Sequence, residues 1–81
     1  MKKHTLKIQA VYANAKLDGK KMFKIRKNDR DFKVGDIVEY TCIDSPFTDR
    51  RLQGRLYEIT FITDYEQKDG YVVFGEREVE K

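Results

Sequence analysis

Five stretches of the chain alternate apolar and polar residues with the period of two that marks a strand with one buried face. From His4 to Gln9, Leu6 and Ile8 fall on one side and Lys7 and Gln9 on the other. From Met22 to Lys27, Phe23 and Ile25 alternate with Lys24 and Arg26, which predicts a strand with its two apolar residues in the core. A third strand is expected over Ile37 to Ile43, entered from a turn at Val34-Gly35-Asp36. A fourth runs from Arg55 to Thr63 with Tyr57, Ile59 and Phe61 on one face, and a fifth from Tyr71 to Val79 with Val72 and Phe74 opposed to Val73. Ala10 to Asp18 is alanine-rich and is followed by Gly19 at the usual stop position, the pattern of a short helix offering Val11, Ala15 and Leu17 to a core. Asn28-Asp29-Arg30-Asp31 reads as a turn, 44–53 with Pro46 as an exposed loop, and 64–69 as a polar hairpin connection.

About five short strands and one N-terminal helix predict an α+β fold: a small β-barrel with the helix across one end, in a single domain over residues 1–81. A hydrophobic share of 40% is enough for one compact core, and a charged share of 38% must lie mostly on the surface. The single cysteine, Cys42, leaves no internal disulfide, and with one histidine, His4, the chain lacks the usual ligands of a zinc site, so no metal and no cofactor are expected. No apolar run approaches the ~20 residues that span a bilayer. The opening Met1-Lys2-Lys3-His4 leads into alternating residues rather than an apolar signal core. The expectation is a cytoplasmic protein without a membrane partner.

Charge is distributed unevenly. Lys16 to Lys33 holds eight basic residues and three acids, a net +5, whereas Glu58 to Lys81 holds seven acids and three bases, a net −4. A basic pole points to a polyanionic partner. Its densest part runs from Gly19 to Asp36, where Lys24 and Arg26 share one strand face and Lys21 stands at the strand's mouth. Arginine offers a planar fork of donors to a phosphate or a base edge, and lysine a mobile point charge.

This stretch resembles the signature of the ASCH domain, a branch of the PUA-like superfamily, G-x-K-x-x-E/T-x-R followed by V-G-D. Gly19, Lys21, Arg26 and Val34-Gly35-Asp36 match it. The run from Arg26 to Asp36, with His4-Thr5-Leu6-Lys7 and Gly70-Tyr71-Val72-Val73, is similar to an uncharacterised ASCH-related family common in phages and Gram-positive bacteria. The resemblance implies a PUA-like barrel with a cleft lined by the signature, and association with RNA. Some small members of the superfamily are amidohydrolases that deacetylate acetylated cytidine through the signature lysine, a threonine three residues later and a distant glutamate. Lys21 matches that lysine, but Lys24 holds the threonine position and cannot supply a hydroxyl nucleophile.

The expected function is therefore an RNA- or nucleotide-binding module, with Lys21, Lys24, Arg26, Lys27 and Arg30 as the candidate contacts. The alternatives are a small amidohydrolase on an acetylated nucleoside, for which Lys21 would be the catalytic candidate, and a protein-interaction accessory factor using the acidic pole. Glu58, Glu76 and Glu78 are the candidates for a cleft acid. His4 is read as a packed or surface residue, Cys42 as a buried inert thiol, and most of the five tyrosines as packing.

Overall fold

The computed structural model of the chain describes residues 2–20 and 23–79. Strand β1 (Lys3–Ile8) leads into helix α1 (Ala10–Leu17); β2 (Phe23–Lys27) and β3 (Ile37–Cys42) follow, then helix α2 (Pro46–Leu52), β4 (Leu56–Thr63) and β5 (Tyr71–Val79). All five strands form one sheet in the order β1-β3-β4-β5-β2. The β1–β3 pair is parallel and the other three are antiparallel. The fold is a small α+β one, a curled half-barrel of five strands with two helices. The curl is visible in one contact. In a flat sheet β2 and β3 would lie about 14 Å apart with parallel side chains. Here the Lys24 Nζ of β2 comes within 5.9 Å of the centre of the Tyr40 ring on β3.

The concave face is the core. Leu6 and Ile8 of β1, Val38 and Tyr40 of β3, Tyr57 and Ile59 of β4, and Val72 and Phe74 of β5 are all buried there, with Ala13 of α1 and Leu52 of α2 above them. Alternation thus holds in four strands. It breaks once, at an irregularity between Ile59 and Phe61 in the β4–β5 register. The extra residue turns Phe61 to the convex face, where it is 53% exposed rather than in line with Tyr57 and Ile59. There its ring lies over Gly75, at which a Cβ would come within 2.7 Å of Phe61 Cδ1.

Strand β2 departs from expectation. Register pairs Lys24 with Phe74 and Arg26 with Val72, so the two cations share the concave face with the core of β5. Phe23 and Ile25 lie on the convex face, 45% and 54% exposed. The apolar residues of this strand are therefore outside and the charged ones inside.

Helix α1 agrees in part: Leu17 packs against the core as expected, but Ala13 and Lys16 are the buried residues and Val11 is exposed. The segment expected as a loop contains α2. Ser45 caps it by accepting the Thr48 N–H at 3.2 Å, Pro46 supplies the first turn, and Asp49 accepts the Cys42 N–H at 2.8 Å. Cys42 is buried, as expected.

The turn before β3 is held by one carboxylate. Gly35 adopts φ +93°, open only to glycine without strain, and Asp36 N–H closes the turn on Lys33 O at 3.0 Å. The Asp36 carboxylate accepts the N–H groups of Lys2 (3.0 Å) and Lys33 (3.1 Å) and pairs with His4 Nε2 at 2.8 Å. His4 is buried, and its ring packs 4.7 Å from Phe32. Burial alone would raise the Asp36 pKa, but the His4 hydrogen bond and the two backbone donors outweigh it and hold the pKa below the ordinary 3.8.

A depressed folded pKa contributes stability that is present above 3.8 and lost as pH falls through the folded value. Asp36→Asn is expected to cost roughly 1–3 kcal/mol at neutral pH. Urea denaturation should show that cost shrinking as pH falls below 3.8 and through the folded value, where the wild-type carboxyl becomes protonated too. A cost independent of pH would contradict the assignment.

Candidate functional site

The concave face of the half-barrel carries charges where a small core normally holds none. Lys16 projects from α1 and Glu76 from β5, and they form a buried ion pair, with side chains 1% and 0% exposed. Tyr40 shares its hydroxyl proton with both Glu76 oxygens, at 2.8 and 2.9 Å. The Lys16 ammonium lies 5.0 Å from the centre of the Tyr40 ring and 5.2 Å from that of Tyr57, so two aromatic faces complete its surroundings. Each element contributes by its own period. Glu76 continues the inward series Val72, Phe74, and Lys16 lies one helical turn beyond the buried Ala13.

The tyrosines are held neutral. Burial, and after it the Glu76 charge, pushes the Tyr40 pKa far above its usual value, with Arg26 pulling weakly the other way. Tyr40 is therefore a fixed donor to Glu76 and not a base. Burial and then the neighbouring Glu78 charge push Tyr57 up to about 12. The Tyr57 hydroxyl is the one buried side-chain polar atom among the described residues that has no hydrogen-bond partner. Tyr40 and Tyr57 meet nearly edge to face, 5.7 Å between centres.

Beside this cluster stand Lys24 and Arg26. Both are half-buried on the concave face of β2, and the Lys24 ammonium lies 5.9 Å from the centre of the Tyr40 ring. On this part of the face, among the described residues, the three cations Lys16, Lys24 and Arg26 stand with the single buried carboxylate of Glu76.

The other candidates are dispersed. Lys27 is exposed and on the convex side of β2 with Phe23 and Ile25. Arg30 lies beyond the end of β2 and donates from Nη1 to the Thr5 carbonyl on β1 at 3.0 Å. Lys21 lies outside the described residues. Of the three glutamates weighed as cleft acids, Glu76 is the buried one. Glu58 pairs with Arg77, and Glu78 with Arg55, at the surface. The turn reading of Asn28 is supported: its Oδ1 accepts the Phe32 N–H at 3.0 Å. No group of three or more metal-ligating side chains occurs among the described residues. No helix among them is long and apolar enough to cross a membrane.

Lys16 entered the sequence reading only as one charge of the basic pole. Its signal was positional: it falls on the same helical stripe as Ala13, a place where lysine demands a counter-charge.

Removing one partner of a buried ion pair leaves the other charge uncompensated. Lys16→Met or Glu76→Leu alone should therefore destabilise the fold by about 3–5 kcal/mol. The double variant Lys16→Met with Glu76→Leu should cost less than the sum of its single variants, because no charge is then left buried. Denaturant titration of the four proteins checks this, and strict additivity would mean that the two groups do not interact.

The chain belongs to the family described as a domain of unknown function, DUF3850, whose pattern matches residues 3–75. It is also similar to an uncharacterised 12.9 kDa protein encoded in the GpA 3′ region of Escherichia phage P2, at 32% identity over 63 residues. That alignment covers 76% of this chain and 58% of the phage protein, so the chain spans less than two thirds of the relative's length.

Proposed function

We propose that this DUF3850 domain is an ASCH-type, PUA-like module that binds RNA or a nucleotide, and that it takes the phosphate on the concave face with Lys24 and Arg26. The observation that carries the reading is the inversion of β2: two cations are held on the inner face of a rigid strand, next to Tyr40 and the neutralised Lys16–Glu76 pair. Charges so placed are desolvated in part before any ligand arrives, and a charge-assisted hydrogen bond to a phosphate is stronger there than in open solvent. Strand residues hold donors in better register than loop residues. Lys21 stays a candidate contact on the resemblance alone, and Lys27 and Arg30 would extend the field along the backbone of a longer strand. A cytoplasmic setting fits this role.

Single-stranded RNA, duplex RNA, DNA and free nucleotides should be titrated at two salt concentrations. Binding is expected to weaken as salt rises, because phosphate contacts release counterions. Arg26→Ala should weaken binding and lower the salt slope by about one unit, and Lys24→Ala should do likewise. Lys27→Ala, on the outer side, should have the smaller effect. Equal binding by wild type and an Arg26→Ala, Lys24→Ala double variant would remove the concave face from consideration.

One observation favours a second reading, a small amidohydrolase on an acetylated nucleoside. Glu76 is a distant glutamate on the same inner face as the signature residues. Its carboxylate, however, is engaged by Lys16 and Tyr40, and Lys24 stands where the hydroxyl nucleophile would be needed. Incubation with acetylated cytidine separates the readings: release of acetate establishes the enzyme, and an unchanged nucleoside leaves the binding module.

A further inference from the structure

The two outer strands of the sheet are β1 and β2, and their edges differ. On β1, Arg30 reaches across to occupy the Thr5 carbonyl. On β2 the direction of the backbone groups follows from the end of the ladder. Asn28 donates its N–H to Gly70 O at 2.7 Å. In an antiparallel pair successive residues alternate in direction, so Arg26 and Lys24 turn their backbone groups toward β5, and Ile25 and Lys27 turn theirs outward. This edge is dressed differently on its two sides. The concave side carries Lys24 and Arg26, and the convex side carries Phe23 and Ile25 as part of an apolar strip that continues over Gly75 to Phe61. No acid occurs anywhere in β2.

We propose that the β2 edge takes up an extended acidic segment of a partner protein as a sixth strand. The occupant is selected by charge and alternation. A strand laid along β2 places every second side chain on the concave side beside Lys24 and Arg26, where carboxylates are favoured. It places the intervening side chains on the convex side, where apolar groups extend the Phe23–Ile25–Phe61 strip. A second copy of this chain, paired about the central residue Ile25, does not satisfy the edge. Antiparallel self-pairing about Ile25 sets Lys24 opposite Arg26 twice over, and like charges directly opposed destabilise a ladder. The cations thus prevent the edge from pairing with itself while selecting an acidic, alternating partner.

A fluorescein-labelled peptide of alternating glutamate and valine, blocked at both ends, is the probe, with the alternating lysine–valine peptide as its counterpart. Fluorescence anisotropy should show the acidic peptide binding and the basic one not. Ile25→Pro removes an outward N–H and leaves the β5 ladder intact, a substitution that edge strands tolerate, and should weaken the acidic peptide by at least about tenfold. Arg26 and Lys24 remain in that variant, so its binding of single-stranded RNA should match the wild type; the two readings therefore fail separately. In the unsubstituted protein, amide exchange at Ile25 and Lys27 should slow when the acidic peptide is added. Equal binding of both peptides, wild-type affinity in Ile25→Pro, or unchanged exchange at those two amides would each overturn the proposal.

Discussion

A lysine and a glutamate buried together in a domain of 81 residues constrain everything around them. Neither charge survives alone in a low-dielectric interior, so helix α1 and strand β5 must meet in one arrangement for Lys16 to reach Glu76. Tyr40 adds β3 to the contract by donating to the same carboxylate, and the rings of Tyr40 and Tyr57 surround the ammonium. Four elements that could otherwise slide past one another on apolar contacts are thereby fixed in register. A purely hydrophobic replacement would pack as well, but it would not discriminate among those arrangements as sharply. The half-barrel curls around this cluster, and the curl brings Lys24 of the outermost strand over Tyr40.

A second polar knot performs a similar service at the other end of β3. Asp36 gathers two backbone donors and His4, ties the entry to β1 and β3 together, and lets Gly35 take a conformation that other residues resist. The two knots share a logic. Each sets a polar side chain with its partners among buried apolar neighbours, where it specifies an alignment that apolar contacts alone leave permissive.

Most of the strands were legible because period two is a strong signal when one face is buried. His4-Leu6-Ile8, Val38-Tyr40 and Val72-Phe74 all fall on the inner side. The misreadings have specific causes. Phe61 continues the series Tyr57, Ile59 in sequence, but an irregularity after Ile59 reverses the side on which it falls, and alternation contains no mark of an inserted residue. The helix after Ser45 was hidden by its own start signal: serine followed by proline reads equally as a turn, and only the cap and the buried Leu52 show that a helix begins there. Helix α1 was placed correctly along the chain, and of Val11, Ala15 and Leu17, assigned to its inner side, Leu17 packs on the core, whereas the buried places belong to Ala13 and Lys16. Glu76 was one of three candidate cleft acids, and extending the series Val72, Phe74 by one more step singles it out. What kept it level with Glu58 and Glu78 was the rule that charges lie outside, which yields where a buried charge has a partner.

The same rule fails on β2, and there the failure is informative. A strand with cations on the concave side and exposed Phe23 and Ile25 on the convex side runs against the pattern that specifies the other four. Reversing its register by one residue would bury the apolar pair and expose the charges, a change that hydrophobic burial alone would favour. The observed register is set instead by its neighbours. Asn28 fixes the strand's far end by bonding both Gly70 and Phe32, and Gly75 supplies a flat place for Phe61 opposite Phe23. A sequence that holds a strand in the less hydrophobic register retains something by doing so, since consistency between pattern and burial is the ordinary condition of a folded chain. What it retains is a pair of cations on the concave side beside the buried Lys16–Glu76 pair, on an edge strand that carries no acid, and the proposed binding of negative charge rests on that placement.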